Sequence, residues 1–494
     1  MKKIIIIGGG ISGMTAGILL QKAGFNTEIY EKNSVIGGLC TGWQRKGFFI
    51  DNCIHWLTGT KEGTALHELW KEIGALGDGV ETYKKEMFFS SKLNGQTLTF
   101  WRDMERTRQE MLALSPADEK EINKLIDYTK LAESMTVPVE KPFDMMNIFE
   151  FMKLGMSMKA MGKVMNEYGK MDIYELANRF KHPLIRRAIT DYMPSGYQAY
   201  AFIVSYATVT SGNGDIPMGG SLKTALRIAD KYKKLGGIIH TNTDVEKVML
   251  ENNKATGILL KSGDKISADY VICACDMHHT FDKLLPERYM PKDLKKQFDS
   301  RVLYPVSSGF QVAFGVNGTF AELTGTRVFS CEKITVGKTT VDAMSIQAYE
   351  YEPDFAPKGK MVIQSNFSQL EKDFEYWKAL YNDKQSYNKV KQQLGEEIKR
   401  RVISEYPALN DKIEVLDIWS PMTYNRYCNC YGGAYMSFVN TKLAKSITTA
   451  GVVKGIDNVM LAGQWLMGPG GLPTAAAMGK FAAYRISKKE GLKI

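Results

Sequence analysis

The sequence predicts an α/β protein, a doubly wound domain carrying an inserted α+β region, on three observations. The first 31 residues order as strand, glycine turn, helix, strand and acid. Further glycine-rich blocks return in the middle and near the end of the chain, and 494 residues exceed what one hydrophobic core holds.

Ile4 to Ile7 is a β-branched run that reads as a strand. Gly8, Gly10 and Gly13 follow in G-x-G-x-x-G spacing, with Ile11 and Ser12 inside the turn. The first glycine permits a tight turn, the second lets backbone approach a pyrophosphate, and the third packs helix on strand. A helix from about Ile11 to Ala23 then points its unpaired N–H groups and positive dipole end at the phosphates, and Gly24 stops it. The strand Thr27 to Tyr30 delivers Glu31 where a carboxylate accepts the hydroxyls of an adenosine ribose. Strand, turn, helix and acid in this order predict a Rossmann-like dinucleotide cradle.

After Glu31 and Lys32 comes a second glycine pair, Gly37-Gly38, followed by Leu39. A nicotinamide site needs no such pair, whereas a flavin dinucleotide runs its ribityl chain past this loop, where bare backbone is useful. The pair favours FAD, with Glu31, Lys32, Gly37, Gly38 and Leu39 as contacts. From this point the chain resembles the flavoprotein superfamily of amine oxidases, phytoene desaturases and retinol saturases.

The stretch Gly47 to Gly59, with Asp51, Cys53, His55 and Trp56, is similar to the Gly-x-x-x-Asp-x-Gly-x-His-aromatic pattern of retinol saturases and carotenoid isomerases. Cys53 departs from it, standing where those families carry glycine; a small buried side chain is the plain reading of this thiol. Met218-Gly219-Gly220, Gly236-Gly237, Val245 and Ala268 to Ala274 resemble the middle FAD segment, in which the backbone of Val245 would meet the adenine. Ser420 to Tyr427 is similar to the segment that precedes the last FAD block, Val459 to Trp465 and on through Gly471, Leu472 and Thr474, in which Gly463 and Gln464 replace a glycine-aspartate pair. From Asn458 to Gly479 no side chain is charged, yet glycine and proline exclude a spanning helix. A helix opening at Pro473 suits proline in a first turn, and its free N–H groups would face an anion.

Composition sets wide bounds. With 44% hydrophobic and 24% charged residues the chain is an ordinary globular protein. The apolar run after Met1-Lys2-Lys3 stops at Gly8, too short for a secretory signal, which points to the cytoplasm. Net charge +10 admits an anionic partner or membrane surface, but no run of five like charges and no nucleic-acid motif is present. Seven cysteines include the Cys273/Cys275 and Cys428/Cys430 pairs, whose spacing would put both on one face of a strand. Neither they nor six scattered histidines have zinc spacing, so no metal site is expected.

The predicted FAD-binding domain takes residues 1–75, 216–290 and 446–494; the substrate-binding domain takes 76–215 and 291–445, with a helical lid around 141–215. Within the lid, Phe143 to Met171 is rich in methionine, beside five lysines from Lys141 to Lys170. It reads as an amphipathic helix, either packed on its own domain or touching a membrane surface. Tyr192 to Gly214 is uncharged and carries Tyr192, Tyr197, Tyr200, Phe202 and Tyr206, which either line an apolar tunnel or form plain core.

FAD beside an apolar tunnel implies hydride exchange at flavin N5 with a carbon that offers only its π-system. The resemblance implies a hydrophobic substrate, a polyene, retinoid, carotenoid or unsaturated fatty acid, and a retinol saturase-like reductase first. A phytoene desaturase-like dehydrogenase or a polyene isomerase stands second, and an amine oxidase or a lipid carrier without flavin further off. No second G-x-G-x-x-G offers a site for NAD(P)H, which leaves the electron donor open. A reductase needs a proton donor opposite the hydride. His55 is the first candidate, Tyr197 and Tyr435 follow with Tyr427, and His278-His279 reads as a helix start without a role.

Overall fold

The strand β1, Lys3–Ile7, lies at the centre of a five-stranded parallel sheet in a computed structural model that describes residues 1–193 and 196–493. Its neighbours are β2, Asn26–Tyr30, and the strand Tyr270–Cys273; Ile238–His240 and Val459–Leu461 lie at the edges. Ile4 to Ile7 pair with Thr27 to Tyr30 on one side and with Tyr270 to Cys273 on the other. A central parallel strand is covered on both faces, which is why β1 reads as unbroken isoleucine without alternation. The helix α1, Ile11–Lys22, is likewise buried all round from Ile11 to Leu20. Gly17 admits the Tyr232 ring of the helix Gly220–Lys234, and Gly479 of the helix Leu472–Lys489 meets the Ser12 carbonyl so closely that a Cβ would lie 2.3 Å from it.

A seven-stranded mixed sheet forms the second layer, in the order Ile413–Trp419, Ser308–Asn317, Lys360–Gln369, Thr339–Ala348, Thr326–Val336, Met87–Leu93 and Gln96–Trp101. The helices Glu371–Tyr381 and Lys384–Glu405 pack on one face around Trp377, Phe310 and Ile398. Phe88, Phe89 and Phe100 carry the Met87–Trp101 end into a helical core from Met104 to Val209.

The methionine-rich segment is not one helix. A turn at Phe143–Met145 leads to a helix Ile148–Ser157, capped by Asn147 and Glu150, and then to Lys159–Tyr168. Phe143 packs edge-on against Phe481 and the last helix packs through Val164 and Tyr168, whereas the Ile148–Ser157 helix buries no residue at all. Phe149 is 79% exposed and Met156 71%, and Ile148, Phe151 and Met152 are also exposed. No helix among the described residues is long and apolar enough to cross a membrane.

The cysteine pairs do not share strand faces. Cys273 ends its strand and Cys275 follows in the loop, while Cys428 ends the helix Pro421–Cys428 and Cys430 follows a left-handed Asn429. All seven thiols are free, and among the described residues no three His, Cys, Asp or Glu side chains converge as a metal site.

Candidate active site

The three glycines of the first turn are required by different things. Gly8 turns at φ +106°, and a Cβ there would meet the Ala274 carbonyl oxygen at 2.9 Å, so the neighbouring strand end demands glycine. A Cβ on Gly13 would sit 2.1 Å from the Gly8 oxygen; this residue packs α1 on the turn and does not line the cavity beyond it. A Cβ on Gly10 would meet no atom within 4 Å. The protein itself leaves this space open.

Around the space lie unpaired donors. Gly10 caps α1 without a side-chain hydrogen bond, and the hydroxyl of Ser12, 4% exposed, has no partner among the described residues. Open space before a helix N-terminus with free N–H groups and an orphan hydroxyl is the environment a pyrophosphate satisfies.

Glu31 is fixed to this turn. Its Oε2 accepts the Gly9 N–H at 2.8 Å, and its Oε1 accepts the backbone and side-chain N–H groups of Asn33 at 2.9 Å. Oε2 keeps a lone-pair direction for a further donor such as a ribose hydroxyl. The second glycine pair docks on the first turn: the Gly37 N–H donates to Gly9 at 2.9 Å, and Gly38 lies against Gly10. Lys32 donates to the Arg426 carbonyl at 3.0 Å and to Asn429 at 2.9 Å, which ties this loop to the chain 394 residues on.

These groups line one cavity of about 630 Å³, with Gly8, Gly10, Ile11, Ser12, Glu31, Lys32, Gly37, Gly38, Leu39 and Val245 at the nucleotide end. Gly463, Gln464, Gly471 and Leu472 line it as well. The helix Leu472–Lys489 starts one residue before Pro473, capped by Gly471 at φ +86°. Thr474 is buried in its first turn and does not reach the cavity, unlike the expected contact. The Gln464 side chain accepts the Gly471 N–H at 2.9 Å, so its amide pins the turn.

The cavity continues past Cys53 and His55 to Trp56, Phe88, Phe89 and Tyr192. Burial, with Lys85 nearby, depresses the His55 pKa to about 4, so its imidazole is neutral near pH 7. Tyr197 and Tyr435 also line the cavity, both within reach of the Ser307 hydroxyl, and burial holds both phenols protonated. Tyr427 does not line it; its backbone carbonyl accepts the Asn33 side-chain N–H at 3.0 Å. Of the aromatic stripe, Tyr192 and Tyr197 face the cavity, whereas Phe202 and Tyr206 are core and Tyr200 packs against them. Pro194 and Ser195 of that stripe lie outside the described residues. His279, at the end of the short helix Met277–His279, reaches the cavity too, a placement its position after a strand did not signal.

Asp51 explains the Gly-x-x-x-Asp pattern and Gly219-Gly220 together. It is buried and accepts the Ser221 N–H at 2.6 Å, the Ser221 hydroxyl and the Cys53 N–H at 3.0 Å. Gly220, at φ +72°, gives that carboxylate room, since a Cβ would lie 2.2 Å from its oxygen. Asp51 thus sets the Cys53–His55 loop on the N-terminus of the helix Gly220–Lys234. Lys85, which also lines the cavity, was not signalled: the Lys84-Lys85 pair looks like solvated charge.

A dinucleotide cradle opening into an aromatic-lined cavity defines a dinucleotide-dependent oxidoreductase. Residues 11–487 match the family model for flavin containing amine oxidoreductase, and the chain belongs to that family, with FAD as its cofactor. It is 22% identical over 514 residues to a 4,4'-diaponeurosporene oxygenase of Staphylococcus aureus (strain bovine RF122 / ET3-1), covering 99% of each chain. Among solved structures it resembles an oxidoreductase from Methanosarcina mazei, with TM-score 0.60, 18% identity and coverage of 98% and 100%. It also resembles a putrescine oxidase bound to putrescine, with TM-score 0.61, 16% identity and 98% coverage of each.

Proposed function

We propose that this FAD-dependent oxidoreductase acts on a carbon–carbon bond of a hydrophobic, lipid-like polyene, saturating a C=C bond as its resemblance to retinol saturases implies. The observation that carries the substrate class is the wall of the cavity beyond the cradle, built by Trp56, Phe88, Phe89, Tyr192 and Tyr424. Such a wall suits a flat conjugated chain. An amine is the poorer fit, because the cation there is the protein's own Lys85.

When bound, FAD supplies two-electron exchange with carbon. The cradle of Gly8, Gly10, Ser12 and Glu31 would hold its nucleotide half, with Gly37, Gly38, Gln464 and Gly471 along the rest. What the protein adds is an aromatic-walled cavity and a proton. His55 is neutral at pH 7, so it can hold substrate or a proton carrier by a hydrogen bond, and it supplies a proton only if it is recharged during turnover. Tyr197 and Tyr435, both protonated and both lining the cavity, form the second source.

The similarity to a diaponeurosporene oxygenase favours a second reading, oxidation of the same class of chain. The two are separated by reducing the purified yellow protein anaerobically and adding unsaturated fatty acids, retinoids and carotenoids. Return of the oxidised flavin band with one class supports the reductase. Bleaching of the oxidised protein by a more saturated partner supports the dehydrogenase, and isomer turnover without net redox change an isomerase.

The same reading extends to where the substrate comes from. The exposed apolar residues of the helix Ile148–Ser157 lie beside Lys153, Lys159 and Lys163, which have no hydrogen bond or ion pair among the described residues. Asp144, Glu150 and Glu167 nearby are each paired, to Arg485, to Lys141, and to Lys124 and Arg179. Apolar side chains framed by free cations support peripheral contact with an anionic membrane.

A further inference from the structure

Lys85 lies in the link between the strands Thr82–Tyr83 and Met87–Leu93, is 4% exposed, and lines the substrate end of the cavity. Its ammonium makes no hydrogen bond and no ion pair among the described residues, and it keeps surface open to the cavity. Glu350 attracts it from the loop after the strand Thr339–Ala348 without pairing, its carboxylate accepting the Gly325 N–H at 2.9 Å. A buried cation normally has a partner, since desolvation is costly without one.

Lys85 stands at the same end of the cavity as His55. The Trp56 ring meets the Phe88 ring edge-on at 6.3 Å, which seats the His55 loop on the strand that follows Lys85, and the Lys85 charge acts on the His55 imidazole. Glu350 and His55 are the charged or titratable groups that face the ammonium, with Arg327 beyond Glu350. Few other groups here hold a proton they release near pH 7. His55 is already neutral, and burial pushes the phenols of Tyr192, Tyr197 and Tyr424 far above their ordinary range. Asp191 is taken by Arg187 and Ser91, and Asp276 by the N–H groups of His279 and Tyr431. Lys85 differs from all of these. Burial without a partner brings its pKa down to about 8, so it is charged at pH 7 and close to the value that suits an acid at that pH. Giving up the proton also removes a buried charge.

We propose that Lys85 is the general acid of this site, its ammonium giving the proton that enters the substrate chain. This rests on the reductase reading above and deepens it. As a hydride reaches one carbon of the C=C bond, the neighbouring carbon takes a proton from Nζ. One N–H bond breaks and one C–H bond forms, and the electron pair of the broken bond stays on nitrogen as a neutral amine, which solvent recharges. One hydride and one proton are added in all, the two electrons coming from the reduced flavin.

The test follows return of the oxidised flavin band after the anaerobically reduced holoenzyme is mixed with all-trans-retinol, linoleic acid or β-carotene, from about pH 6 to about pH 10. The expected wild-type rate is flat below about pH 8 and falls about tenfold per pH unit above it. Lys85→Ala should slow the return by about a hundredfold or more and lose the alkaline limb, with flavin content and the half-saturating lipid concentration unchanged. Added methylammonium should restore much of that rate, whereas tetramethylammonium, a cation with no N–H, should not. Lys85→Arg, which keeps the charge but holds its proton, should stay slow. An unchanged rate or a retained alkaline limb in Lys85→Ala, equal rescue by the two cations, or full activity of Lys85→Arg overturns the assignment and leaves the reductase standing. If no lipid returns the band, the reductase reading falls and this proposal with it.

Discussion

Glu31 accepts the Gly9 N–H at 2.8 Å, so the acid that ends the second strand is bonded to the turn that ends the first. Its carboxylate shapes the cradle as well as facing it. Glu31→Ala removes the acceptor of Gly9 and of both Asn33 N–H groups, at a cost of about 1–3 kcal/mol. Weaker FAD retention together with a lower Tm is the expected outcome, and the flavin-to-protein absorbance ratio after gel filtration measures it. Unchanged retention would remove Glu31 from the nucleotide site.

Gly10 separates cofactor binding from folding. A Cβ there touches no protein atom, and the backbone sits at φ −75°, which any residue adopts. Gly10→Val should therefore give a folded, colourless protein with circular dichroism like the wild type. A fully yellow Gly10→Val protein would show that the pyrophosphate lies elsewhere.

His55 and Lys85 carry pH signatures of the same sign in different windows, since burial lowers both pKa values and each costs stability on the acid side. The His55 pKa falls from 6.5 to about 4 on folding, so the unfolded chain binds the extra proton between those values. This contribution is neutral above pH 6.5 and destabilises progressively down to about pH 4. His55→Ala should flatten that acid limb in urea titrations, slow turnover and leave the flavin bound.

The Lys85 pKa falls from 10.5 to about 8, mainly through burial. Below pH 8 both states carry the proton and the folded protein bears the full desolvation cost, about 3 kcal/mol, which fades as pH rises to 10.5. Lys85→Met should accordingly stabilise the protein at pH 7 and give progressively less above pH 8. No gain at pH 7 would mean that the ammonium has a solvated or paired environment.

The exposed helix predicts a membrane readout that leaves the cofactor alone. Phe149→Glu with Phe151→Glu should cut co-sedimentation with phosphatidylglycerol-containing vesicles by about tenfold while flavin content stays constant, and added salt should weaken wild-type binding by screening the lysines. Equal partition of variant and wild type would assign this face to something other than lipid.

The cradle was legible from sequence because its parts are neighbours in the chain. Strand β1, the turn, α1 and Glu31 are contiguous, and their spacing carries the geometry. The glycine pair at Gly37-Gly38 was legible for the same reason, although its docking on Gly9 and Gly10 was not. The helix at Leu472 was placed within a residue by its proline. The aromatic stripe was only half legible: uncharged periodicity marks a buried segment, but not which ring meets core and which meets cavity. The methionine-rich segment misled in another way, since amphipathic spacing implies a packed face and the Ile148–Ser157 helix has none.

By itself the sequence determined the doubly wound fold, the flavin cradle and the polar residues that surround it, because local spacing and glycine stereochemistry suffice for these. Only the tertiary structure decided that Asp51 anchors the His55 loop on Ser221, that Thr474 is buried away from the cavity, and that the buried Lys85 lines it. The physical reason is separation along the chain. A lysine beside another lysine reads as solvated charge until strands some 240 residues further on close over it and take away its water.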